Sequence, residues 1–139
     1  MKRQFYVTQY AAIFDGQNRL LLLRDAGNDS VRGKFVFPGG HIENSDGSPL
    51  SALAREIKEE TGLKLITAWI FCTSIKKAPD GKWRFIAYYV CQAKGKEIKL
   101  DEEHDAFEWA DITRTKYMKF RDNAEKQIIL GLLKRKNAK

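Results

Sequence analysis

The sequence is poor in cysteine, in proline and in long apolar runs. Two cysteines and three prolines occur among its 139 residues. If the strands that carry Cys72 and Cys91 pair across a two-residue turn at Asp80-Gly81, the thiols lie on a diagonal about 7–8 Å apart, which is too far for easy bridging. We therefore expect two reduced thiols that are mostly buried in the core.

Long apolar segments are absent as well. No segment approaches the roughly 20 apolar residues that a membrane-spanning helix requires. The Lys2-Arg3 pair is followed by a mixed polar and aromatic segment rather than by the apolar stretch of a secretory signal. These absences predict a cytoplasmic protein without a membrane partner.

Negative charge is the scarcer sign in this chain. Lysine and arginine number 25, aspartate and glutamate number 18, and the formal net charge is +7. This balance is compatible with polyanionic ligands such as nucleotides or RNA, but charge alone decides solubility and steering rather than ligand identity. Much of the charge lies at the two ends, in Lys2, Arg3, Lys134, Arg135, Lys136 and Lys139. Solvated tails explain this better than a nucleic-acid patch, so nucleic acid is not the favoured partner.

The length and the 43% apolar content predict one domain, 1–139, with a sizeable core. Runs of strands interrupted by a central helix and closed by a second helix indicate an α+β fold with a mixed sheet between helices. The closing helix is predicted for residues 122–134. Its apolar stripe consists of Ile128, Ile129, Leu132 and Leu133.

Two β-hairpins are predicted. The first joins residues 5–14 to residues 19–24 through an Asp-Gly turn, since both segments are rich in apolar, aromatic and β-branched residues. The second joins residues 65–75 to residues 83–92 around Pro79-Asp80-Gly81, a sequence typical of hairpin turns.

A central helix is predicted from Pro49 to Thr61. Ser48 supplies an N-cap hydroxyl, and Pro49 occupies the first helical position, where its missing N–H costs nothing. Gly62 is a C-terminal stop. The apolar stripe of this helix consists of Leu50, Leu53, Ala54 and Ile57.

Three carboxylates share one flank of the central helix. Glu56, Glu59 and Glu60 repel one another by roughly 0.2–0.5 kcal/mol per pair, and Lys58 points to the far side of the helix. A divalent cation would remove this penalty, and magnesium or manganese suits oxygen ligands without Cys or His. The alternative is a solvated acidic face on which Arg55 pairs with Glu59 one turn on.

The preceding loop favours the metal site. Pro38-Gly39-Gly40 lets the backbone approach a ligand closely, so that backbone carbonyls and helix carboxylates can converge on one ion. Together these residues resemble the Nudix box of MutT-like hydrolases, G-x5-E-x7-R-E-U-x-E-E-x-G-U, where U is a bulky aliphatic residue. The matching residues of the box, about 40–63, are Gly40, Arg55, Glu56, Ile57, Glu59, Glu60, Gly62 and Leu63.

The sequence departs from this pattern at one position. Asp46 stands where the pattern has its first glutamate, and eight residues instead of seven then separate it from Arg55. In the family this glutamate is a secondary element of the site and a partner of the box arginine. Asp46 and Glu43 are both candidates for that role.

The resemblance implies the Nudix α/β/α sandwich with a mixed β-sheet, and a homodimer is common in the family. It also implies a Mg²⁺ cofactor, for which Mn²⁺ can substitute. The expected metal ligands are the Gly40 carbonyl, Glu56, Glu59 and Glu60.

Further roles follow from the same resemblance. Arg55 is expected to orient the carboxylates, and the general base is either Glu59, the first choice, or Glu103 from the acidic segment before residues 107–109. Arg24, at the end of the second strand, is expected to contact substrate phosphate, with an ordinary strand-end cation as the alternative. Phe35, which precedes the Pro-Gly-Gly sequence, either lines the substrate pocket or simply packs.

The expected activity is Mg²⁺-dependent hydrolysis of a diphosphate-linked nucleoside substrate. The favoured substrate is a nucleoside or deoxynucleoside triphosphate, including oxidised ones, with a monophosphate and pyrophosphate as products. ADP-ribose and dinucleoside polyphosphates are alternatives. A different class of function is a nucleotide-sensing or RNA-binding module without efficient hydrolysis, which the net charge and the altered Asp46 loop motivate.

Overall fold

The computed structural model describes residues 2–137. Met1, residues 138–139 and the side chains of residues 136 and 137 are outside that description, so the two ends of the predicted domain 1–139 and part of the predicted basic tail lie outside the described residues. In chain order the elements are β1 (Tyr6–Ile13), β2 (Leu20–Asp25), β3 (Phe35–Val36), β4 (Gly39–His41), α1 (Pro49–Thr61), β5 (Lys64–Lys77), β6 (Trp83–Lys94), β7 (His104–Ala110), a 3₁₀ helix (Ile112–Tyr117) and α2 (Ala124–Asn137).

The strands form two sheets. A four-stranded sheet has the order β4-β1-β6-β5, and a three-stranded sheet has the order β3-β2-β7. β1 runs parallel to β6, whereas the other neighbours are antiparallel, so the larger sheet is mixed as predicted.

The predicted hairpin between residues 5–14 and 19–24 is wrong. β1 and β2 belong to different sheets and meet at the turn through an isolated bridge between Phe14 and Leu20. β1 lies instead between β4 and β6, where both of its faces are covered. Burial of an apolar strand on two faces outweighs the local preference for a hairpin.

The second hairpin is confirmed, with a different register. Ala78 and Lys82 flank a three-residue turn, and bulges between Leu65 and Thr67 and between Ile70 and Cys72 shift the pairing further. The two-residue turn on which the expected distance between Cys72 and Cys91 was conditional is therefore not formed, and the turn is Pro79-Asp80-Gly81. Cys72 and Cys91 are both free thiols, as expected.

Two apolar cores lie on opposite faces of the sheets, because successive side chains of a strand point in opposite directions. The core beneath α1 includes Ala11, Ile13, Leu21, Leu23, Leu53 and Ile57. The core beneath α2 includes Ala12, Leu20, Leu22, Ile129 and Leu132. Helices thus cover both faces, which confirms the α+β sandwich.

Along residues 2–137, no helix has both the length and the apolar character needed to span a membrane.

The helix α1 has the predicted bounds and caps. The Ser48 hydroxyl accepts the Ser51 N–H at 3.1 Å, the Ser51 hydroxyl accepts the Ser48 N–H at 3.0 Å, and Gly62 adopts a left-handed φ of +76°. The assignment of Leu50 to the buried apolar stripe is wrong, since its side chain is 50% exposed. Leu50 belongs to the first turn of α1, and the buried residues of the helix begin only at Ala52.

The helix α2 starts two residues later than predicted and carries a buried carboxyl group. Glu125 is 1% exposed, and its Oε2 has no hydrogen-bond partner among the described residues. Burial raises the pKa of Glu125 to about 8, and Asp122 acts in the same direction. Arg121, Lys76 and the backbone N–H of Phe37 oppose that shift.

We expect Glu125→Gln to change how stability depends on pH. The pKa of the carboxyl is higher in the folded protein than its ordinary value of 4.5, so the folded state holds an extra proton between pH 4.5 and about 8. The stability of the wild type therefore falls as pH rises through this window, and Glu125→Gln removes that loss. The melting temperature of the variant relative to wild type should increase from pH 5 to pH 8 in thermal unfolding followed by circular dichroism. Glu108→Gln, at an exposed position, is the control, and a pH-independent difference for Glu125→Gln contradicts the prediction.

Candidate functional site

The short strand β4 brings the glycine pair against α1. Its backbone pairs with β1 opposite Gln9 and Tyr10, and the Gln9 side-chain amide donates to the Pro49 carbonyl at 2.8 Å. The Glu56 carboxyl carbon lies 2.6 Å from the place where a Cβ on Gly40 would be. Glycine at position 40 is therefore what allows the backbone and the helix carboxylate to come together.

Glu60 lies beneath this strand rather than at the surface. It is 4% exposed, and its Oε2 accepts the backbone N–H of Gly39 at 3.1 Å. Its Oε1 lies 3.7 Å from Nε2 of His104, whose Nδ1 is 2.6 Å from an Asp101 carboxylate oxygen. Burial raises the pKa of Glu60 to about 9, and the negative charges of Glu56 and Asp101 contribute to the shift.

Arg55 connects the loop and the helix. Its Nε and one terminal nitrogen donate to the two carboxylate oxygens of Asp46, each at 2.9 Å. The other terminal nitrogen lies 2.9 Å from Glu56 and 3.4 Å from Glu59. The paired arginine lowers the pKa of Asp46, and this bidentate hydrogen bond raises the pKa of Arg55. Arg55 thereby holds the two helix carboxylates in a common direction.

The two acids that compete for Arg55 differ in geometry. The Asp46 side chain is 6% exposed and makes the bidentate contact, whereas the Glu43 side chain is 59% exposed and its carboxylate is 3.9 Å from Arg55. The Glu43 backbone N–H also donates to Asp46 at 2.8 Å. Asp46, rather than Glu43, is therefore the acid that pairs with the arginine in this loop.

An open cavity of about 610 Å³ lies over these groups. The carboxylates that line it are Glu43, Glu56, Glu59, Asp101, Glu102 and Glu103. Arg121 is the cationic side chain of this lining among the described residues. Cavities that concentrate one sign of charge favour ligands that bring the opposite sign.

Glu103 also lines this cavity and comes from the acidic segment before β7. Its backbone carbonyl accepts the N–H of Ala26 at 2.9 Å, which attaches the acidic segment to the end of β2. The structure therefore brings both candidate bases, Glu59 and Glu103, to one cavity.

Two predicted substrate contacts lie elsewhere. Arg24 does not line the cavity, and its Nε donates to Asp105 at 2.7 Å. Phe35 packs at the edge of the core beneath α2 and pairs with Phe120. These positions match the alternatives of a strand-end cation and a packing residue, and the substrate roles of Arg24 and Phe35 stay predictions.

Other residues of the cavity were not found from the sequence. Thr8 and Tyr10 come from β1, and the Thr8 hydroxyl is 2.9 Å from Nδ1 of His41. Arg121 comes from the segment before α2 and donates to Asp25 at 3.2 Å and to the Tyr10 hydroxyl at 3.1 Å. No local motif marks these residues, because strand pairing and the path of the chain between β7 and α2 bring them together.

The donor atoms beside Gly40 fit a hard divalent cation. They are carboxylate and carbonyl oxygens, the buried Glu60 lies among other negative charges, and Gly40 leaves the space that a Cβ would fill. Within residues 2–137, no three Asp, Glu, His or Cys side chains form a ready-made metal site. The carboxylates now bound to Arg55 and Gly39 would therefore have to turn toward the ion.

Comparison with known proteins agrees with this geometry. Residues 5–130 match the family model described as NUDIX domain. "Putative nudix hydrolase 1" of Caenorhabditis elegans is 29% identical in an alignment of 120 residues that covers 75% of this chain and 32% of that protein. The chain thus spans about a third of the length of this relative.

Two further similarities agree with this match, one in sequence and one in fold. The nucleoside triphosphatase NudI of Klebsiella pneumoniae (strain 342) is 30% identical over 108 residues, covering 70% of this chain and 76% of that protein. The MutT protein from Methanosarcina mazei Go1 has the same fold, with a TM-score of 0.82 at 22% identity over 100% of this chain and 99% of that chain. The extent of the family match, together with the capped helix of carboxylates beside a glycine pair, shows that the chain belongs to the Nudix hydrolase family.

Proposed function

We propose that this protein hydrolyses a diphosphate-linked nucleoside substrate with the help of Mg²⁺, for which Mn²⁺ can substitute. The observation that carries the proposal is the acidic cavity whose lining includes Glu56 and Glu59 of α1, the Gly39-Gly40 strand and Arg121. A diphosphate brings closely spaced negative charges, which such a cavity accepts only together with cations.

The residues that would hold the metal are Glu56, Glu59, Glu60 and the Gly40 carbonyl. A bound divalent cation neutralises the charge of the diphosphate and lowers the pKa of water. Arg55 has a positioning role, since its contacts to Asp46, Glu56 and Glu59 hold the loop and the helix carboxylates beside the cavity. Arg121 replaces Arg24 as the favoured contact for a negatively charged substrate group, because it lines the cavity.

Glu59 is the favoured general base. Its side chain is more exposed to the cavity than that of Glu56, and its contact with Arg55 is long, at 3.4 Å. It can therefore leave the arginine at little cost and accept a proton from the attacking water. Glu103, which lines the same cavity, is the alternative base.

The favoured substrate is a nucleoside triphosphate, cleaved to monophosphate and pyrophosphate. The similarity to a protein named nucleoside triphosphatase supports this choice. ADP-ribose and dinucleoside polyphosphates remain the alternatives, because the loops that line the cavity carry no base-specific motif.

The experiment that tests the proposal measures products by mass spectrometry after incubation with Mg²⁺. The substrates are ordinary and oxidised nucleoside triphosphates, ADP-ribose and dinucleoside polyphosphates, each repeated with excess chelator. We expect monophosphate and pyrophosphate from at least one triphosphate, and no product with chelator. Binding without turnover of any substrate contradicts the proposal and favours the nucleotide-sensing module.

A further inference from the structure

A second concavity, of about 890 Å³, lies at the C-terminal end of α1 and has the opposite charge. Its lysines are Lys58, Lys64, Lys94, Lys96 and Lys99. Two carboxylates, Glu59 and Glu97, also line it, so positive charge dominates. Like charges in one concavity repel one another, and an anionic ligand would offset that repulsion.

Packing holds the segment that carries most of these lysines. The backbone N–H of Lys99 donates to the Thr61 carbonyl at 2.8 Å, which fastens the segment to the end of α1. Ile98 and Leu100 pack against the core beneath α1. A Cβ on Gly95 would lie 2.7 Å from the Leu63 side chain, so the two chains are in close contact. The lysines are thus presented by a fixed backbone.

Within the described part of the chain, the ammonium groups have no ionic partners. Across residues 2–137, none of the five lysines forms an ion pair. Lys58 donates to the Gly62 carbonyl at 3.2 Å, and the other four have no hydrogen bond from their ammonium groups to described residues. The positive charge is therefore available to a ligand.

The position and composition of the concavity indicate which anion it suits. Glu59 lines both this concavity and the acidic cavity, so the two adjoin along α1. The lining contains no aromatic ring, and so it offers no surface on which a base could stack. Lysine ammonium groups bind phosphate as point charges and need no adjoining base, so the phosphates of a polyphosphate chain fit this lining.

We propose that the lysine concavity binds the outer phosphates of a polyphosphate chain whose inner diphosphate lies in the acidic cavity. The lysines alone support the binding of phosphate chains. The effect of this binding on hydrolysis rests on the proposed function. We therefore expect nucleotides with more than three phosphates to be hydrolysed with a higher kcat/KM than the corresponding triphosphates.

The first test measures binding of inorganic tripolyphosphate by calorimetry in chelator, so that it does not depend on turnover. The test variant is Lys64→Gln/Lys94→Gln/Lys96→Gln, and the control is Lys77→Gln/Lys116→Gln/Lys134→Gln, which removes the same charge from exposed positions elsewhere. We expect about tenfold weaker binding for the test variant and a change within about twofold for the control. Equal loss in both variants shows that only net charge matters and overturns the proposal.

The second test compares kcat/KM for adenosine 5′-tetraphosphate and adenosine 5′-triphosphate. The wild type should prefer the tetraphosphate, and the test variant should lose that preference while the control keeps it. Turnover of both nucleotides without any effect of the test variant overturns the coupling. If neither nucleotide is cleaved but the calorimetric difference holds, the proposed function fails and the phosphate site stands.

A third test distinguishes a polyphosphate site from a nucleic-acid site by measuring the binding of a single-stranded oligonucleotide with a 5′-hydroxyl end. It carries phosphodiesters but no polyphosphate, and we expect it to bind with less than a tenth of the affinity of tripolyphosphate at equal salt. Tighter binding of the oligonucleotide, lost in the test variant, overturns the proposal in favour of a nucleic-acid site.

Discussion

Glu60→Gln is expected to lower kcat about 100-fold or more while the protein stays folded. Loss of one metal-binding carboxylate removes transition-state stabilisation of the order of 3 kcal/mol. Glutamine keeps the shape of the side chain and an oxygen that can accept the Gly39 N–H, so the buried contact survives. Steady-state kinetics over a range of Mg²⁺ concentrations, with circular dichroism for the fold, is the measurement.

Two comparisons make this result specific. Glu59→Gln, at the more exposed carboxylate of the same helix, should lower kcat at least as much, because it removes both a metal ligand and the favoured base. Glu108→Gln removes an exposed carboxylate on β7 and should leave kcat within about twofold of wild type. Wild-type turnover in folded Glu60→Gln would refute the site assignment.

Gly39→Ala is expected to destabilise the protein by about 3 kcal/mol or more. Gly39 has a φ of +154°, and a Cβ there would lie 2.0 Å from the carbonyl oxygen of Gln9 and 2.8 Å from the Cα of Tyr10. Both obstacles are backbone atoms of the paired strand, so the conflict is relieved only if β4 leaves β1. Chemical denaturation monitored by tryptophan fluorescence gives the free energy of unfolding.

The neighbouring glycine provides the contrast. A Cβ on Gly40 would meet the Glu56 carboxylate, which is the end of a flexible side chain and can move. Gly40→Ala should therefore lower activity more than stability. Gly47→Ala is the control, since no atom lies within 4 Å of its Cβ position. Equal stability of Gly39→Ala and Gly47→Ala would contradict the expected backbone conflict.

The sequence predicted the central helix because its determinants are local. Ser48, Pro49 and Gly62 act on the backbone of their own helix, and the spacing of Glu56 and Glu60 is set by its period. The resemblance to the Nudix box rests on the same residues, and the family match confirms it.

The sequence failed where a strand had to choose a distant partner. An Asp-Gly turn between two apolar strands predicts a hairpin, yet β1 gains more by inserting between β4 and β6, where both of its faces are buried. The same pairing presents Thr8 and Tyr10 to the cavity. Reading along the chain could not associate these residues with Arg121, more than 100 residues away.

The altered loop of the Nudix box is another feature that the sequence left open and the fold decided. Sequence spacing left Asp46 and Glu43 as rival partners of Arg55, because the course of an irregular loop is not periodic. The fold brings Asp46 into the bidentate contact and leaves Glu43 at 3.9 Å.

By itself, the sequence determined a capped helix of three carboxylates, the glycine pair before it and the resemblance that they carry, since helix periodicity and capping act over a few residues. The tertiary structure alone decided which strands pair, which acid holds Arg55, how deeply Glu60 and Glu125 are buried, and that five lysines share one concavity. Those features depend on contacts between segments that are far apart in the chain. Which of these contacts form is decided by the free energy of the whole fold and not by any local stretch of sequence.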